Sequence, residues 1–118
     1  MAKIYVAGKN IERAQKMMNT LRENGHVVIF DWITDITNEK DPLQKAKDER
    51  EAVKQSEVLV YLYESDQESA RYEVGMAMGL HKPIIVSNPR KNAFFLSLPE
   101  IISVENDTKI LSALNKII

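Results

Sequence analysis

The stretch SARYEVGMAMGLHKPIIV (69–86) reads as a short helix feeding a buried strand, with a glutamate on the helix's apolar side. At about 100° per residue, with Ala70 as zero, Val74, Ala77, Met78 and Leu80 fall within roughly 80° of it. Glu73 lands on the same arc, between Leu80 and Ala77, while Arg71, Gly75 and Gly79 face the other way. A carboxylate there lies against a sheet or in a cleft at its edge, where leaving it unpaired is costly. A salt bridge, or a place at the rim of the stripe in reach of water, is one explanation, since structural ion pairs leave the same pattern. A nucleophile or base in a pocket is the other: an ionised carboxylate can attack a sugar carbon and form a covalent glycosyl-enzyme. Ser65 and Glu68 form an S-x-x-E capping pattern that starts the helix just after the preceding strand, which puts Glu73 near a strand end.

The elements that must position this residue alternate. KIYVA (3–7) is a β-branched and aromatic run ending at Gly8, and reads as a first strand. Residues 10–24 place Ile11, Ala14, Met17, Met18 and Leu21 at helical spacing, with Asn10 as N-cap and Gly25 just past the end. HVVIF (26–30) reads as a second buried strand, followed by a polar loop, DWITDITNEKDP. Asp41 and Pro42 open a helix whose inner stripe is Leu43, Ala46, Arg50 and Val53. VLVYLY (58–63) is apolar at almost every position, as a central parallel strand is. After the helix at 69–80 come PIIV (83–86), EIISV (100–104) and a closing helix over 108–117. Strands and helices in alternation imply one α/β domain over 1–118, flavodoxin-like and Rossmann-like. It has a doubly wound, five-stranded parallel sheet in the order 2-1-3-4-5. Such folds bind ligands beyond the carboxyl ends of the strands, so the residues after Ala7, Phe30, Tyr63 and Val86 matter most.

Composition removes several classes of function. A net charge of -1, from 16 basic and 17 acidic residues, gives no excess to neutralise a nucleic-acid polymer. There is no cysteine, which removes thiolate metal sites and cysteine nucleophiles and fits a cytoplasmic chain. His26 and His81 lie far apart and show no ligand spacing, so no metal is expected. No apolar run reaches the length of a membrane span, and the basic-then-apolar start of a signal peptide is missing.

Four segments in order, KIYVAG, LRENGHVVIFDW, EREAVKQSEVLVYLY and YEVGMAMGLHKPIIV, resemble the nucleoside 2-deoxyribosyltransferase family, including its relatives the 2'-deoxynucleoside 5'-monophosphate N-glycosidases. The resemblance runs over most of the chain. Carried over, it makes Glu73 the nucleophile and Tyr5 the hydroxyl that orients it; without the resemblance, Tyr5 reads as a core aromatic. The family's second acidic residue, eight positions before Glu57, falls on Glu49, flanked by Asp48. Either would contact the ribose or pass a proton to the departing base, against the plainer reading of KDERE as a solvated helix face. The loop before the nucleophile, SDQESARY, lacks the glycine many members carry, which leaves Asp66, Gln67 and Ser69 as substrate-binding candidates in a differently shaped pocket.

The implied reaction is a double displacement at C1' of a (deoxy)nucleoside, with retention of configuration and no cofactor. Another base as acceptor makes a transferase, the label the overall resemblance favours; water makes a hydrolase. Trp32, beside Phe30, offers a wall for a planar base or anchors its loop. Gly8, Lys9 and Asn10 open the first helix, where backbone amides, with Lys9 and Arg13, could hold a 5'-phosphate. The family completes its sites across subunits, so a homodimer or higher homo-oligomer is implied. NAFFLSLP (92–99) is a contact surface for it, or simply packs beneath the last strand, and Asn88 or Asn92 is a residue that would reach a neighbour's site. Non-catalytic rivals on the same fold are a nucleotide-binding or signalling domain and a partner-binding module in which Glu73 only pairs with a basic side chain. A receiver domain is disfavoured because Gly-Lys-Asn, not an acidic pair, follows strand 1, and a dinucleotide enzyme because no G-x-G-x-x-G does.

Overall fold

The computed structural model describes residues 1–36, 41–91 and 93–118. In chain order the elements are β1 (Lys3–Ala7), α1 (Ile11–Glu23), β2 (Val27–Val28), α2 (Trp32–Asp35), α3 (Pro42–Gln55), β3 (Val58–Leu62), α4 (Ser69–Gly79), β4 (Ile84–Ser87), β5 (Ile101–Val104) and α5 (Ile110–Ile117). Short 3₁₀ turns occupy Phe94–Ser97 and Asp107–Lys109. The five strands form one parallel sheet in the order β2-β1-β3-β4-β5, the expected α/β topology.

Strand parity decides which side each residue serves. On β1, Ile4 and Val6 point to the layer of α1 and α5, packing with Met17, Met18, Leu21, Ile110 and Leu114. Tyr5 and Ala7 point to the other layer, with Val53 of α3 and Ala70, Val74 and Ala77 of α4. The single-residue alternation of β1 therefore sends the Tyr5 side chain toward the helix that carries Glu73. β3, with all five residues buried, is the centre of both cores. Ile85 of β4 is fully buried in the α1/α5 core. Truncating it (Ile85→Ala) is expected to cost about 2–5 kcal/mol of unfolding free energy, read by denaturant titration.

Several local expectations are corrected. The second strand is not a five-residue buried run: only Val27 and Val28 pair with β1, and Val27 is 41% exposed. It is the sheet edge, with a neighbour on one side only. The expected stripe of α3 is rotated: Leu43, Ala46 and Arg50 are exposed, and of that set only Val53 is buried. The partly buried positions are Lys45, Asp48, Glu49 and Ala52, so α3 turns Glu49 inward where a smooth apolar stripe would have turned Leu43. Leu80, placed on the inner arc, is the C-cap of α4 and about half exposed, because the helix stops before it. Asn10 does cap α1, accepting from the Arg13 amide at 2.9 Å, and Gly25 supplies the positive φ (84°) that ends it.

Candidate functional site

A cavity of about 680 Å³ opens beyond the carboxyl ends of β1 and β3. It is lined by Gly8 and Lys9 after β1, Trp32 and Ile36 from α2 and its C-cap, and Glu49 of α3. Asp66 to Ala70, from the loop into α4, and Glu73 complete it. Gly8 belongs where strand ends crowd: a Cβ there would sit 3.3 Å from Leu62 Cβ.

Glu73 is 5% exposed, on the inner face of α4 where the helical phase places it. The Tyr5 hydroxyl donates to its Oε2 at 2.6 Å. Tyr5 is fully buried, and its ring stacks parallel to Phe30 with centroids 6.5 Å apart. Burial, followed by the neighbouring Glu73, pushes the phenol far above its ordinary pKa, so it stays a donor. The Glu73 carboxyl is itself raised, to about 8, chiefly by desolvation. The Tyr5 hydrogen bond opposes that rise, while the charge of the nearby Glu49 adds to it. The ion pairs among the described residues are Lys9–Asp66, Arg13–Asp107 and Arg22–Asp31, and none of them takes Glu73.

The sequence-predicted candidates divide. Glu73, Glu49, Gly8, Lys9, Trp32, Asp66, Gln67 and Ser69 line this one cavity, and Tyr5 reaches it from beneath through Glu73. Asp48 is not among the lining residues; its carboxylate accepts from the Gln44 side chain at 2.8 Å, one turn back. Asn10 is also outside the lining, its side chain spent on the α1 cap and its backbone N–H donating to Glu64 Oε2 at 3.0 Å. Arg13 grips Asp107 with two bonds of 2.8 Å and donates a third to the Tyr63 carbonyl. The expected phosphate cradle at the start of α1 is thus filled by the protein's own groups.

Trp32 both anchors its loop and lines the cavity. Its indole N–H donates to the Val6 carbonyl at 2.8 Å, and its ring lines the cavity. Gln67, 7% exposed, is a brace: its Oε1 accepts from the Glu64 N–H and its Nε2 donates to the Leu62 carbonyl. That brace holds 64–67 as a loop, so the capping pattern of Ser65 and Glu68 does not start the helix. Glu68 is the N-cap and makes no side-chain capping bond. Sequence reading missed Ile36, Glu68 and Ala70 as lining residues. The signal for Ile36 was its spacing of four from Trp32, which puts both on one side of a helical turn. Asn92 lies outside the described residues, and Asn88 ends β4 at a φ of 56°. Among the described residues no group of three or more His, Cys, Asp or Glu side chains could hold a metal ion, and no helix is long and apolar enough to cross a membrane.

By sequence, the chain matches no family model and no curated protein. By fold it is similar to a solved structure, that of the CMP N-glycosidase BcmB of Clostridium botulinum. The TM-score is 0.69 and the identity 18%, and the match covers 97% of this chain and 98% of that one.

Proposed function

We propose that this chain is an N-glycosyl enzyme acting on a nucleoside or nucleotide through a covalent intermediate on Glu73. The observation that carries the reading is the hydrogen bond from Tyr5 to a Glu73 carboxyl that is buried, paired with no cation among the described residues and open to a cavity shared with Glu49. The likeness in fold to a protein named for cleaving an N-glycosidic bond supports it.

In the first step a Glu73 oxygen attacks C1', the C1'–N bond breaks, and its electron pair leaves on the base. Tyr5, donating to Glu73, favours the charge on the nucleophile, and Glu49, lining the same cavity, is the acid that delivers a proton to the leaving base. In the second step the deprotonated Glu49 takes a proton from the acceptor, which attacks C1' and frees the Glu73 carboxylate. Two inversions retain configuration. A second base as acceptor makes the chain a deoxyribosyltransferase; water makes it a glycosidase, the outcome that the N-glycosidase activity of the structural neighbour favours. Trp32 and Ile36 form the apolar wall for the base. Phe94 and Phe95, 75% and 63% exposed, are the face through which a second copy would pack.

Chromatography of a reaction holding a deoxynucleoside and a second free base tests the reading. Base release supports it, a new nucleoside identifies transfer, and neither product rejects it. Tyr5→Phe is expected to lower kcat about 10- to 100-fold. Without the donor the carboxylate is less stabilised, so its pKa climbs further and the acid limb of the pH–rate profile moves to higher pH.

A further inference from the structure

Resting on the glycosyl-enzyme reading, we infer that the site takes a nucleoside with a free 5'-hydroxyl and discriminates against its 5'-monophosphate. The charges around the cavity carry this. Glu49, Asp66, Glu68 and Glu73 all line it, and among the described residues Lys9 is the one cation that does. Lys9 is already paired with Asp66, Nζ to Oδ2 at 2.7 Å. That pair is exposed and weak, so a phosphate could displace it, but only by taking the place of one carboxylate beside another.

Among the described residues, the neighbouring groups that could recognise a phosphate are committed elsewhere. Arg13 is held by Asp107 and the Tyr63 carbonyl. The Asn10 amide, at the start of α1, already has the Glu64 carboxylate on it. Arg71 donates to the Ser65 carbonyl and lines a separate hollow with Tyr61 and Tyr63. The first turn of α4 faces the cavity with Glu68 at its N-cap, and that carboxylate, which caps no amide and accepts from the Tyr72 hydroxyl, adds a negative charge to the lining. Each carboxylate repels a phosphate dianion, whereas a hydroxyl finds acceptors in all of them. The named activity of the structural neighbour is on CMP, so this chain would differ from it in the ligand while sharing the fold.

The test compares a deoxynucleoside with its own 5'-monophosphate at one pH and low ionic strength. On the wild-type protein, kcat/KM for the nucleoside is expected to be at least about tenfold higher, an advantage that shrinks as salt screens the carboxylates. Glu73→Gln, which binds without turnover, gives the affinities by calorimetry and is expected to prefer the nucleoside in the same sense. Asp66→Asn removes one carboxylate and frees Lys9, and should raise the monophosphate-to-nucleoside ratio several-fold. A preference for the monophosphate in rate or affinity overturns the inference while leaving the glycosyl chemistry standing. Cleavage of neither compound, with tighter binding of the nucleoside, sustains the inference and removes the chemistry. Binding of neither overturns both.

Discussion

Replacing Glu73 with glutamine is expected to abolish base release while leaving a protein at least as stable as the parent at neutral pH. The loss of turnover should be about 10⁴-fold or more, the scale on which enzymes lose rate with their nucleophile. An amide cannot form the glycosyl ester, yet it keeps the shape and still accepts the Tyr5 hydrogen bond seen at 2.6 Å. The stability side follows from the raised carboxyl. A group held near 8 in the folded chain, against 4.5 unfolded, binds its proton more tightly when folded. Its stabilising contribution is full below the unfolded value and is lost as pH rises through the window from about 4.5 to 8. Glutamine does not titrate, so melting temperature should depend less on pH across that window in the variant, and at pH 8 the variant should melt higher. A variant that melts lower at pH 8 would mean that the buried charge is stabilised by partners beyond Tyr5. An intact mass of the wild type trapped with substrate should show one added deoxyribosyl group, and the variant none.

Much of this site could be read in the residues because two periodicities point the same way. Helical phase put Glu73 with Ala70, Val74 and Ala77, and all four are buried. Strand parity put Tyr5 opposite Ile4 and Val6, on the α4 side. The chain order of strands and helices was enough for the sheet order, since parallel strands with right-handed crossovers leave few alternatives. What could not be read depends on which groups take which hydrogen bonds. Ser65 and Glu68 have capping chemistry, but the Gln67 amide binds the backbone at 62 and 64 and holds the loop in another shape. Lys9 and Asn10 look like phosphate ligands until Asp66 and Glu64, more than fifty positions away, are found on them. The rotation of α3 was equally hidden, because Leu43 is apolar and exposed whereas Glu49 is charged and turned inward. Its inner surface covers a cavity lined by Glu49, so apolar spacing was the wrong guide there.

That rotation makes the two acidic neighbours of α3 unequal, and their variants should separate sharply. Glu49→Gln is expected to lower kcat about 10²- to 10⁴-fold, the range for loss of a general acid. Asp48→Asn, at a residue outside the cavity lining, should stay within about twofold of the parent. The pH profile distinguishes loss of an acid from simple misfolding. Glu49→Gln takes the proposed acid away without removing the Glu73 carboxyl. The same substitution removes the negative charge that raises Glu73, so the carboxyl ionises at lower pH and the acid limb shifts downward. A substrate whose base leaves readily without protonation should recover most of the lost rate, because only delivery of the proton is missing. If Asp48→Asn were instead the crippled variant, with Glu49→Gln near normal, the acid would be the wrong residue. The inward turn of α3 would then serve only to shape the cavity wall.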